Sequence, residues 1–364
     1  MAVTEQVIHD ALRGVTDPHT GKDFVSTKAL KNLQISGGDV AFDIELGYPA
    51  KSLVPTLRRS LVAAVKAVPG VDNVSVNIDT RVIAHAVQRG VQLMPNVKNI
   101  IAVASGKGGV GKSTTAVNIA LALAHEGTRV GILDADIYGP SMPTLLNLAG
   151  KPELNAQELM VPHTQYGVQV NSIGFLIDND NPVAWRGAMV SQALQQLFNQ
   201  TAWTDLDYLI VDMPPGTGDI QLTLSQKIPV TGAVIVTTPQ DLALMDARKG
   251  LAMFEKTHIP VLGIVENMAL HTCSNCGHEE EIFGGGKLGG ASKMSADFDV
   301  PLLGQLPLAM DIRVQADAGK PTVADNPNST HAQHYRSIAR QLALALAMRP
   351  RDLSHKIKVT TTSQ

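Results

Sequence analysis

The chain has 364 residues, room for roughly two domains of ~100–200 residues each and for a sizeable buried core. With 44% apolar residues, 17% charged residues and a formal net charge of −3, it excludes extensive disorder and the strongly basic footprint of a nucleic-acid binder. No apolar run reaches the ~18 residues of a membrane span, and the opening MAVTEQVIHD has neither a basic nor an apolar leader region, so no membrane insertion and a cytoplasmic address are expected.

In chain order, Thr4 is the predicted N-cap of a short helix on which Val7, Ile8, Ala11, Leu12 and Val15 share one face. Val40, Phe42, Ile44 and Leu46 alternate with Ala41, Asp43 and Glu45, the pattern of a strand buried on one side. Leu57, Leu61, Ala64, Val65 and Val68 return to helical spacing, Pro69-Gly70 stops them, and Val74, Val76 and Ile78 alternate again. A small α+β domain over residues 1–85 follows, with 86–97, weakly periodic and broken by Pro95, as a linker.

From Asn99 the texture changes. NIIAVAS, TRVGILD, DYLIVD, GAVIVTT and PVLGIVEN are near-continuous apolar runs of strand length separated by helix-sized stretches. That is the signature of a buried, mostly parallel sheet with crossover helices. One predicted helix continues from Lys112 through TTAVNIALALAHE, and another carries Tyr335, Ile338, Ala339, Leu342 and Leu346 on one face. The fold class is thus α/β over residues 98–350, followed by a mobile tail at 351–364.

SGKGGVGKST supplies Gly106, Lys107, Gly108, Gly109, Val110, Gly111, Lys112, Ser113 and Thr114 between a predicted strand and a predicted helix. This is the P-loop pattern in its required context. Glycines let backbone N–H groups turn in on a polyphosphate, and the helix N-terminus adds a favourable dipole. Lys112 is expected to neutralise β/γ oxygens and the Ser113 hydroxyl to ligate Mg²⁺. Acids fall where strands end: Asp134 and Asp136 after VGIL, and Asp212 after YLIV. Asp212 is expected to hold Mg²⁺ through a water, and Asp136, or else Asp134, to orient the attacking water, unless these carboxylates only cap turns. PPGTGD, residues 214–219, is suited to sensing a γ-phosphate.

KGGVGKST, LDADIYGPS, VDMPPGTGD, TTPQDLALMDARKG, VENM, WRGAM and a late CxxC together resemble the Mrp/ApbC family of iron–sulfur cluster carrier ATPases, within the deviant Walker A group of P-loop proteins. The resemblance implies a slow ATPase that is a homodimer, holds a bridging [4Fe–4S] cluster and delivers it from cluster donors to apo-proteins. It implies that Lys107 reaches the partner's nucleotide and that Asn267 contacts adenine. Residues 4–80 resemble a small domain of iron–sulfur assembly factors, with two departures: His19 where an acid is usual, and no cysteine in GYPAKSL. Partner docking is the role that remains for it.

Cys273 and Cys276 are the only cysteines, flanked by His271 and His278. Two thiolates at this spacing suit one soft metal centre. The readings are a four-thiolate site shared by two protomers, a zinc site completed by the histidines, a redox dithiol, and inert thiols. The competing functions are a positioning or partition ATPase, which shares KGGVGKST but calls for a basic membrane or DNA surface, and a metabolic P-loop kinase, for which no arginine-rich lid is visible. The glycine-rich GGGKLGG is expected to be a flexible loop.

Overall fold

The alternating and helical runs before residue 81 form a three-stranded sheet with two helices. In this computed structural model, which describes residues 3–88, 91, 94–176, 187–273, 275–285 and 289–351, the unit comprises α1 (Glu5–Arg13), β1 (Leu30–Ser36), β2 (Asp39–Leu46), α2 (Val54–Lys66) and β3 (Asn73–Thr80). β2 lies between antiparallel β1 and parallel β3. Its inward residues Val40, Phe42, Ile44 and Leu46 are buried, as are Ile8 and Leu12 of α1 and Leu57, Leu61 and Val65 of α2. Thr4 stands at the α1 N-cap in extended conformation, but its side chain makes no cap bond. β1 escapes a search for alternation because its register shifts between Lys31 and Gln34, where Asn32 adopts φ 49°. The Asp17-Pro18 turn is closed by the buried Asp17 carboxylate, which accepts from Tyr48 Oη at 2.7 Å and His19 N at 2.9 Å.

Along the chain the boundary to the second unit falls between Ile83 and Ala84. This unit opens with residues held by its own elements: His85 meets Asn99 Oδ1 through N and Nδ1, and Gln88 Nε2 donates to Ser225 O and Ile228 O. Its elements begin with β4 (Val97–Ala104), α3 (Lys112–His125), β5 (Val130–Asp134), α4 (Met142–Leu145), β6 (His163–Gln165), β7 (Val168–Ser172) and α5 (Gly187–Asn199). They continue with β8 (Leu206–Asp212), α6 (Asp219–Lys227), β9 (Gly232–Thr237), α7 (Asp241–Lys256), β10 (Val261–Glu266), β11 (His271–Thr272) and β12 (Glu279–Glu280). The last are α8 (Gly290–Phe298), β13 (Leu302–Gln305), α9 (Met310–Asp317), α10 (Thr322–Asp325) and α11 (Thr330–Ala347).

The main sheet runs β13-β10-β9-β4-β8-β5-β7-β6, parallel throughout except for β6 against β7. All residues of β5, β8 and β9 are buried, which is why those segments read as unbroken apolar runs. α3 is buried nearly all round, from Thr115 to Leu123. Each large aliphatic side chain so enclosed contributes about 1.5–3 kcal/mol. The β6–β7 hairpin, which turns at Tyr166 (φ 49°) and Gly167 (φ 78°), and β13 are additions to the strands expected from sequence. Among the described residues no helix is long and apolar enough to cross a membrane. The expected tail lies, beyond residue 351, outside the described residues, as do Trp185 and Arg186 of WRGAM and the 286–288 part of GGGKLGG.

Candidate functional site

The central strand β4 delivers the chain into the P-loop, and α3 begins at Lys112, so backbone N–H groups at the helix start face the space above the sheet edge. Gly109 (φ 82°) and Gly111 (φ 80°) take the left-handed conformation that such a turn needs. Gly106 is required for another reason: a Cβ there would overlap the backbone of Asp246 and Ala247 in α7. The loop is tied to the 214–219 segment by Gly216 N donating to Ser105 O at 2.8 Å. Lys107 is half-buried, and its ammonium forms no ion pair among the described residues.

β-sheet register brings the acids together. Asp134 at the end of β5 is the direct partner of Asp212 at the end of β8, and both are fully buried. Lys112 Nζ lies 2.6 Å from Asp212 Oδ1, 3.5 Å from Asp136 Oδ2 and 3.2 Å from Ser113 Oγ. Burial raises the Asp212 carboxyl above its ordinary value, against the pull of Lys112. Asp134 is pushed up to about 7 by burial and by the facing Asp212 charge. Its Oδ2 accepts from Ser141 N, Met142 N and Ser172 Oγ, and Oδ1 accepts from Asp136 N. Asp134 therefore holds the 135–142 loop in place, whereas Asp136 Oδ1 and Asp212 Oδ2 are buried without a partner. Two unpartnered carboxylate oxygens near the Ser113 hydroxyl make an oxygen donor set that fits a hard divalent cation such as Mg²⁺.

Asn267 follows β10 and donates from Nδ2 to Val110 O at 2.9 Å. A side chain at Gly111 would overlap that amide. Beside it a cavity of about 260 Å³ is lined by Gly111, Thr114, Asn267, Pro307, Leu308 and Ile312, among others. Its lining is mostly apolar, with the charged side chains of Arg313 and Asp317 also contributing.

The CxxC sits on a different kind of support, a hairpin of two-residue strands, β11 and β12. Cys273 N donates to His278 O at 2.9 Å, and Gly277 N donates to Cys273 O at 2.8 Å with Gly277 at φ 72°. Backbone N–H groups of Cys276 and Asn275 point at the Cys273 sulfur and lower its thiol pKa, with His271 adding a smaller effect. Among the described residues of this turn there is no helix start of the redox-dithiol kind. The His271 ring is engaged through Nδ1 with Leu308 O at 3.0 Å. No cluster of three or more His, Cys, Asp and Glu side chains arranged to hold a metal occurs among the described residues. Ser274 lies outside them.

Residues 96–343 match the family described as NUBPL iron-transfer P-loop NTPases, and residues 5–78 match one described as iron-sulfur cluster assembly protein. The chain belongs to the NUBPL iron-transfer P-loop NTPase family. It is 58% identical over 281 residues to an iron-sulfur cluster carrier protein of Pseudomonas fragi, covering 77% of this chain and 97% of that one. A carrier of the same description from Synechocystis is 44% identical over 95% of this chain and 99% of its own. A nucleotide-binding protein of Archaeoglobus fulgidus, solved with ADP, superposes with a TM-score of 0.57 at 37% identity, covering 66% of this chain and 93% of that chain. A P-loop NTPase and iron–sulfur carrier is thus what the family comprises, and the resemblance read from the motifs holds at that level.

Sequence reasoning passed over three participants. Ser172 braces Asp134 from the end of β7, Gln221 Nε2 donates to Pro215 O in the 214–219 segment, and Glu266 secures α8 from the end of β10. Only Glu266 carried a visible signal, an acid at the last position of an otherwise apolar strand.

Proposed function

We propose that this protein is an ATP-dependent iron–sulfur cluster carrier of the cytoplasm. It works as a homodimer in which Cys273 and Cys276 of both copies hold one [4Fe–4S] cluster as cargo for apo-proteins. The observation that carries this reading is the CxxC turn, in which the backbone N–H groups of Cys276 and Asn275 face the Cys273 thiol and hold its pKa below the ordinary value. A second copy related by a two-fold axis completes four thiolates. The family and the carriers it resembles favour that cargo over zinc.

ATP is the substrate of the P-loop. Backbone N–H groups of residues 106–114 bind its phosphates, Lys112 exchanges part of its contact with Asp212 for β/γ oxygens, and Asn267 with the adjoining slot takes the adenine. Asp136 orients the attacking water, with Asp134 fixing its loop, and Lys107 reaches toward the partner's nucleotide. When bound, Mg²⁺ at Ser113 and, through a water, Asp212 supplies neutralisation of phosphate charge. Hydrolysis is slow, and the nucleotide state sets the closure of the dimer. The 1–83 unit serves to dock partners such as donors or clients.

Anaerobic reconstitution with iron and sulfide tests the reading. About four irons per dimer, lost in Cys273→Ala and Cys276→Ala, are expected. One zinc per chain without a visible chromophore overturns it. A positioning ATPase shares the P-loop but not the thiol pair, so the same metal count separates the two. Lys112→Ala should keep the cluster and lose nucleotide-dependent transfer.

A further inference from the structure

β7 ends beside the loop that carries Asp136. Sheet register places Ser172 of β7 and Asp212 of β8 directly on either side of Asp134 at the end of β5, and all three are fully buried. The Ser172 hydroxyl works in both directions: its Oγ accepts from Gly174 N at 2.9 Å and donates to Asp134 Oδ2 at 2.8 Å. A hydroxyl, one donor with two acceptor lone pairs, can do both. The strand end is itself anchored, since Asn171, also fully buried, accepts from Ser172 N and donates to Thr201 Oγ1, which donates to Leu197 O of α5.

Gly174 adds a second support. A Cβ there would come within 2.9 Å of Pro140 Cβ and 3.1 Å of Pro143 Cγ, so the two prolines pack directly against the glycine. Pro140 and Pro143 flank Ser141 and Met142, whose N–H groups donate to Asp134 Oδ2. Upstream, Asp134 Oδ1 accepts from Asp136 N, and Gly139 N donates to Asp136 O. The 135–142 loop is therefore held at its far end by Ser172, through Asp134, and by Gly174. Its near end presents Asp136 Oδ2 at 3.5 Å from Lys112 Nζ.

We propose that the end of β7 is the seat of this loop: Ser172 is a positioning residue that, through Asp134, fixes Asp136 opposite Lys112, and Gly174 leaves the space that Pro140 and Pro143 occupy. This role rests on the reading of Asp136 as the residue that orients the attacking water. Removing the hydroxyl leaves Gly174 N and one Asp134 lone pair without their partner, with the backbone bonds from Ser141 and Met142 still in place. The loop then loosens rather than detaches, and Asp136 spends part of its time where the water is misaligned. The loss falls on the chemical step, because phosphate binding belongs to the N–H groups of residues 106–114 and to Lys112.

Single-turnover hydrolysis of radiolabelled Mg-ATP by the full-length chain separates chemistry from binding. Ser172→Ala should slow the chemical step about 10-fold while ATP affinity, measured by calorimetry, stays within about three-fold. Ser172→Thr, which keeps a hydroxyl, should stay within about two-fold of the wild-type rate. Gly174→Ala, which keeps the Ser172 hydroxyl but displaces the prolines, should slow the step to a similar degree as Ser172→Ala. In the nucleotide-free protein, amide hydrogen exchange across residues 135–145 should be faster in Ser172→Ala and Gly174→Ala and unchanged in α3. An undiminished rate in Ser172→Ala, an equal loss in Ser172→Thr, or a loss of affinity as large as the loss of rate overturns the seat. If Ser172→Ala does not fold, Gly174→Ala decides, and a wild-type rate there overturns it in the same way. Failure of the Asp136 reading is a different pattern: Asp136→Asn hydrolyses ATP at the wild-type rate while Ser172→Ala still accelerates exchange at 135–145.

Discussion

The nucleotide region and the thiol region are built in opposite ways. Asp134 and Asp212 close central strands and are fixed by sheet register, Asp136 follows just after β5 and Lys112 opens α3, and all four are buried. Cys273 and Cys276 stand on two pairs of bridging residues and a glycine turn, half-buried and exposed respectively. Phosphate chemistry gains from charges pre-set in a water-poor site. Cargo that must arrive and leave needs ligands at the surface. The geometry of the first is enforced by the core, and that of the second by a few backbone hydrogen bonds.

The sharpest way to break this comparison is Lys112→Ala. It leaves Asp212 buried opposite Asp134 with its cation gone, so ATP turnover should vanish and urea unfolding should show a loss of about 3 kcal/mol. Adding Asp212→Asn should recover part of the stability and none of the turnover. Asp136→Asn comes next: a fall in kcat of about 100-fold with ATP affinity little changed marks it as the residue that orients water. If Asp134→Asn alone has that kinetic signature, the assignment between the two aspartates is reversed.

Glycines sharpen the contrast within one loop. Gly106→Ala drives a methyl into the α7 backbone and should cost about 2 kcal/mol. Gly108→Ala meets nothing within 4 Å and should stay within about 0.5 kcal/mol. Gly277→Ala, in open space but at φ 72°, should fall between them, with iron loading reduced.

The pH response is a smaller effect and is specific to the buried region. The Asp134 pKa rises from 3.8 to about 7 on folding. Between those values the folded chain keeps a proton that the unfolded chain has released, so this group's contribution to stability falls as pH rises through that window. Denaturation of the wild type and of Asp134→Asn from about pH 4 to 8 should show the wild type losing stability relative to the variant. The smallest effect is expected at the surface: Cys273→Ser should leave the melting temperature where it is while iron binding is lost.

Much of the nucleotide region is legible because each of its residues belongs to a local string: the P-loop, the acids closing VGIL and YLIV, and the apolar runs that become β4, β5, β8, β9 and β10. What stayed hidden depends on pairing between strands distant in sequence. Nothing in LDAD announces that Asp134 will face Asp212 and be braced by Ser172, while Asp136 two residues on turns toward Lys112. The CxxC was legible as chemistry, but its hairpin was not, since two-residue strands leave no periodicity to read. β1 and the β6–β7 pair were lost to a register shift and to short length.

Gly106 has one more consequence. Where the phosphate loop meets α7, two backbones touch with no side chain between them. In mechanical terms this is a bearing: the surfaces can slide, but neither can lift away without opening a gap in the core. α7 also carries Leu242 and Met245, 70% and 51% exposed. Whatever presses on that outer face is one smooth contact away from the phosphates.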